Sequence, residues 1–89
     1  MNHVNIRITG KVQGVSFRAA LLDKARELGL RGFVRNQPEG SVYAEVEGDE
    51  DLINTLIAWC HKGPPGARVE RIEVSTGSPK AFEGFEVMK

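Results

Sequence analysis

Residues 10 to 18, Gly10-Lys11-Val12-Gln13-Gly14-Val15-Ser16-Phe17-Arg18, join a glycine-punctuated turn to an arginine at the point where a helical pattern begins. Residue types in this order describe an anion site. Backbone N–H groups at a helix N-terminus lack intrahelical acceptors and carry the positive end of the helix dipole, so a loop folded over them offers converging donors to a phosphate. Arg18 adds a permanent charge and a planar fork suited to phosphate oxygens. A first helical turn ordinarily favours acids, and an arginine placed against that preference points to an anion sharing the site. Taken alone, Arg18 would equally suit an exposed helix start.

Two other phosphate-binding patterns do not fit. The nucleotide-binding P-loop requires Gly-Lys-[Ser/Thr], whereas Gly10-Lys11 is followed by Val12. A phosphatase loop that forms a phosphocysteine needs a cysteine six positions before its arginine, and that position is again Val12. With no nucleophile there, direct attack by water is favoured over a covalent route. His3 and His61 have no partners at ligand spacing, so neither a metal nor another cofactor is expected. Cys60 falls on an apolar helical stripe and reads as a small buried hydrophobe.

The elements that must position the loop follow from periodicity. Val4, Ile6 and Ile8 alternate with His3, Asn5 and Arg7, which predicts a strand over about residues 3 to 9 with one buried face. Leu21, Ala25 and Leu28 recur at i, i+4 and i+7, which predicts a helix from Phe17 to about Leu28 with Gly29 just beyond it. Residues 31 to 36 and 41 to 47 read as a hairpin around Gln37-Pro38-Glu39-Gly40. Its second arm sets Val42, Ala44 and Val46 against Tyr43, Glu45 and Glu47, so one sheet face is expected to be solvated or only partly covered. Asp49 is placed to cap a second helix that carries Leu52, Ile53, Leu56, Ile57 and Cys60 and stops at Gly63-Pro64-Pro65. Residues 67 to 75 and 82 to 88 complete the order βαββαββ. Two singly striped helices and a sheet with one apolar face predict an α+β, ferredoxin-like sandwich: an antiparallel sheet with both helices on one face.

The 89 residues allow one domain over 1–89, and no second. Twelve basic and twelve acidic residues cancel and are dispersed, which argues against nucleic acid or an anionic membrane as partner. No apolar run approaches the roughly 18 residues of a membrane span, and no secretory leader pattern opens the sequence. A cytoplasmic monomer is the expectation.

Gly10-x-Val12-Gln13-Gly14-Val15-x-Phe17-Arg18 followed by Gly32-Phe33-Val34-x-Asn36 resembles the paired signatures of the acylphosphatases, and the resemblance extends over essentially the whole chain. It implies a ferredoxin-like fold and metal-independent hydrolysis of the carboxyl–phosphate bond of acyl phosphates, releasing a carboxylate and inorganic phosphate. It further implies that Arg18 binds the phosphate, that Asn36 positions the attacking water, and that the backbone amides of Gln13, Gly14, Val15, Ser16 and Phe17 complete the cradle. Asn36 on its own would suit the opening of the turn Asn36-Gln37-Pro38-Glu39, and both roles can coexist if the first two strands are neighbours. The side chains of Gln13 and Ser16 are left without an assignment. The chemistry is coherent, because an acyl phosphate expels a carboxylate whose conjugate acid has a pKa of roughly 4 and so needs no general acid. What is left to the protein is positioning and charge. A module that binds phosphate without turnover, or a ferredoxin-like RNA-binding domain, are the rival readings; Glu45 and Glu47 oppose the second.

Overall fold

The computed structural model describes residues 2–88. Its elements run β1 (Asn2–Lys11), α1 (Phe17–Glu27), β2 (Arg31–Asn36), β3 (Val42–Gly48), α2 (Glu50–Lys62), β4 (Arg68–Thr76) and β5 (Phe85–Met88). They form the expected βαββαββ order. The sheet order is β4-β1-β3-β2-β5, antiparallel except where β5 runs parallel to β2. The first two strands are therefore not neighbours, because β3 lies between them. Both are antiparallel to β3, so their C-terminal ends emerge at the same edge of the sheet, and one lateral row reads Ile8, Val42, Asn36.

Period-2 alternation sends Val4, Ile6, Ile8, Val34, Val42, Ala44 and Val46 into a core with Leu21, Ala25, Ile53, Leu56 and Cys60 from the helices. α1 packs over β2 and β5, and α2 over β3 and β4. Hydrophobic burial supplies the main driving force, about 1.5–3 kcal/mol for each large aliphatic side chain removed from water. α1 ends as its sequence indicates: Gly29 takes φ +70, its N–H donates to Arg26 O, and Leu30 N–H donates to Ala25 O at 2.9 Å. Asp49 does stand at the N-cap of α2, but its side chain makes no capping hydrogen bond. No described helix is long and apolar enough to cross a membrane.

Residues 82 to 84 are not strand. Segment 77–84 instead straps across the sheet face opposite the helices, where Phe82 lies 6.0 Å from the His3 ring and 5.7 Å from that of Phe33. Beneath the strap His3 and Glu47 are buried, with Nδ1 of His3 2.7 Å from Glu47 Oε2. The N–H groups of Lys80 and Phe82 both donate to the Glu47 carboxylate. Lys80 Nζ reaches Glu45 at 2.8 Å. A polar period-2 face is thus partly covered by a polar cluster whose hydrogen bonds are met.

Candidate active site

Gly10 and Lys11 belong to β1, so the connecting loop is shorter than the glycine pattern implies. Gly10 sits after a register shift at φ +132, where a Cβ would fall 2.2 Å from Arg68 O. Glycine is needed there for the approach of β4 and not for a ligand. The loop proper is residues 12 to 16, fastened by Val12 and Phe17, both 1% exposed. Burying two such side chains holds its ends with several kcal/mol in all, at about 1.5–3 kcal/mol each. Phe17 also meets the Trp59 ring edge-on at 5.6 Å.

Between these anchors the backbone takes two left-handed residues, Gly14 at φ +76 and Ser16 at φ 60, ψ 28. Ser16 is the N-cap of α1, where an extended conformation with a side-chain cap is usual, yet it makes no capping bond. The first intrahelical bond runs from Ala20 N–H to Ser16 O at 3.0 Å, so the N–H groups of Phe17, Arg18 and Ala19 lack intrahelical acceptors. No acid stands in the first turn of α1. The helix start therefore keeps its positive end uncompensated.

A cleft of about 600 Å³ opens over this helix start. Gln13, Gly14, Ser16, Phe17 and Arg18 border it from the loop and α1, and Asn36 borders it from the end of β2. These sequence-predicted residues come together although Asn36 lies 18 positions after Arg18. Val15 is not part of the lining, and its side chain is partly buried against the core. Val12, Ala19 and Val87 also line the cleft. Val87 arrives from β5 through its parallel pairing with Val34, which residue periodicity does not disclose.

Two polar groups at the cleft are uncommitted. The Arg18 side chain makes no ion pair or hydrogen bond among the described residues. Asn36 Oδ1 is buried without a hydrogen-bond partner. An orphaned buried acceptor costs about 1–3 kcal/mol, which makes it informative about function. The lining contains no carboxylate, imidazole or thiol, so it offers one cation, backbone and side-chain N–H donors, a hydroxyl and amides. That set has the chemistry to bind an anion and to orient a neutral molecule; it contains no carboxylate, imidazole or thiol to serve as general acid or base.

The acylphosphatase family model matches residues 4–87. An acylphosphatase of Thermococcus kodakarensis is 50% identical over 84 residues, covering 94% of this chain and 92% of that protein. One from Trichormus variabilis is 45% identical over 86 residues, covering 97% and 85% respectively. The crystal structure of acylphosphatase from Bacillus subtilis superposes with a TM-score of 0.98 at 29% identity, covering 100% of both chains. With the fold, the two signatures and this similarity over nearly its whole length, the chain belongs to the acylphosphatase family.

Proposed function

We propose that this chain hydrolyses acyl phosphates in one displacement at phosphorus, with the phosphoryl group held by Arg18 and the loop amides from Gln13 to Phe17, and the attacking water oriented by Asn36. The P–O bond to water forms as the P–O bond to the acyl oxygen breaks, and the products are a carboxylate and inorganic phosphate. Charge in the loose transition state gathers on the equatorial oxygens. Preorganised N–H donors and the Arg18 fork stabilise it there. Asn36 is neutral and carries both donor and acceptor, so it can hold water in line without repelling the phosphate.

The observation that supports this reading best is the coincidence at one cleft of an unpaired Arg18 side chain, an uncapped helix start and Asn36. Activation by a metal is not part of the proposal, since the lining supplies no anionic ligand and the leaving carboxylate needs no assistance. Ser16 is not proposed as nucleophile because no base stands in the lining to accept its proton. The proposed unit is a monomer; the balanced and dispersed charge opposes nucleic acid as a partner, and the free, buried Cys60 suits a cytoplasmic setting.

The test is hydrolysis of benzoyl phosphate with a chelator present, using p-nitrophenyl phosphate as the unactivated control. Turnover of the first alone, lost in Arg18→Ala and Asn36→Ala, is the expected result. A folded wild-type protein that binds phosphate without turnover would refute the proposal and leave a binding module.

A further inference from the structure

The Gln13 side chain is turned to a different task from its backbone. Its carboxamide nitrogen donates to Gln37 O at 2.8 Å and to Ser41 O at 3.0 Å. Both partners are carbonyls, so the group facing them is the NH2 and both of its hydrogens are used. Those carbonyls form the neck of the hairpin that follows Asn36. Gln37 N–H donates to Ser41 O at 2.8 Å, and Gly40 N–H donates to Gln37 O at 3.1 Å. Each carbonyl therefore accepts once from within the hairpin and once from Gln13.

We infer that Gln13 is a positioning residue that sets the distance between the phosphate cradle and Asn36, and that its side chain is not a phosphate ligand. The inference rests on the roles proposed above for Arg18 and Asn36. The cradle hangs from β1 and α1, whereas Asn36 hangs from β2, with β3 between them. In the row Ile8, Val42, Asn36 the outer residues are two strand spacings apart, roughly 9–10 Å. Gln13 bridges that gap directly at the edge where both emerge. The loop has its own buried anchors in Val12 and Phe17, but the hairpin tip at Pro38 and Glu39 is exposed. The tip is also held by an ion pair between Arg7 and Glu39, both about half exposed, and such a pair contributes little. In-line attack tolerates small errors poorly, a 1 Å misplacement costing about 100-fold in rate.

Gln13→Met keeps the length and the apolar stem and removes both donors. With benzoyl phosphate, kcat is expected to fall about 10- to 100-fold, while the inhibition constant for inorganic phosphate stays within about twofold. In an Asn36→Ala background the same substitution is expected to slow turnover by no more than about twofold, because a residue acting only through Asn36 has nothing left to position. Unchanged kcat, a phosphate constant weakened as much as kcat, or losses that multiply in the double variant would each overturn the inference. A measurement on the wild type covers the case of a variant that does not fold. Both Gln13 Nε2 protons are expected to exchange slowly with water by NMR, and rapid exchange would overturn the clamp. If the wild type does not turn over benzoyl phosphate, the functional reading fails, while the proton exchange still decides whether the clamp exists.

Discussion

Asn36→Leu separates what the site does from what it costs. Asn36 Oδ1 is buried and unpartnered, a state that costs about 1–3 kcal/mol relative to a side chain with no polar atom to satisfy. Leucine has nearly the same branched shape, and asparagine is poorly suited to a strand, so the substitution removes a penalty at the end of β2 without opening a hole. Stability is expected to rise by about 1–3 kcal/mol. At about 4–8 °C per kcal/mol for a domain of this size, Tm would rise by at least a few degrees. Activity is expected to move the opposite way. Removing one polar group preorganised for the transition state costs about 100- to 1000-fold in kcat, whereas inorganic phosphate, held by the loop and Arg18, would inhibit within about threefold of its former constant. Urea unfolding midpoints and benzoyl phosphate kinetics on the same preparation read both quantities. A variant destabilised by about 1 kcal/mol or more would show that the amide supports the fold. One with wild-type kcat would remove Asn36 from the mechanism.

Arg18→Lys keeps the charge but loses the fork, and since Arg18 has no ion pair to lose, the urea midpoint is expected to hold while kcat/KM falls about 100-fold or more; wild-type kinetics would reduce the role of Arg18 to a point charge. Burial pushes the Glu47 carboxyl up, but the Lys80 N–H, the His3 ring and the Phe82 N–H outweigh it and hold its pKa below the ordinary value. Its stabilisation is therefore complete above the unfolded carboxylate pKa of roughly 4.3 and is lost as pH falls through the lower folded value. Glu47→Gln is expected to flatten that acid limb of the urea midpoint and to cost about 1–3 kcal/mol at neutral pH, because buried hydrogen bonds to a charged acceptor are lost; an unchanged limb would assign it to other groups. Burial pushes the Cys60 thiol up to about 12, so iodoacetamide at pH 8 is expected to label it only in denaturant, and rapid labelling of the folded protein would refute its burial.

What the sequence disclosed and what it concealed divide along a physical line. Periodicity reports which face a residue occupies, and it placed Ile6, Ile8, Val42, Leu21 and Leu56 correctly in the core. It does not report which strand lies beside which. The condition attached to Asn36, that β1 and β2 be neighbours, is not met, and the bridging hydrogen bonds of Gln13 and the arrival of Val87 at the cleft were not legible. Gly10 carried the right residue type for a phosphate loop but serves the approach of β4. His3, Glu45 and Glu47 follow the pattern of a solvated face, since alternation cannot register a loop laid over them from segment 77–84. Phe82 looked like a strand residue because it is apolar; the strap it belongs to is built from long-range contacts with no local period.

The unmet needs at the helix start contrast with needs of the same kind that are met beneath the strap. Ser16 and Ala81 are the two described non-glycine residues with positive φ, each costing about 1–2 kcal/mol. At Ala81 a partner for that strain is present, because the turn lets the N–H groups on either side converge on the Glu47 carboxylate. At Ser16 the same turn leads into the uncapped start of α1. Glu47, a buried charge, is hydrogen-bonded by two backbone N–H groups and contacts His3, whereas the Arg18 side chain has no counter-ion, and Asn36 Oδ1 and, away from the cleft, Arg35 Nε have no hydrogen-bond partner. A sequence able to satisfy a buried carboxylate on one face of its sheet is able to give an arginine at the edge a counter-ion. Leaving Arg18 open, beside a left-handed turn and an uncapped helix start, is intelligible if its partner comes from outside the chain: an anion with its charge spread over several oxygens. Inorganic phosphate and the acyl phosphates are such anions.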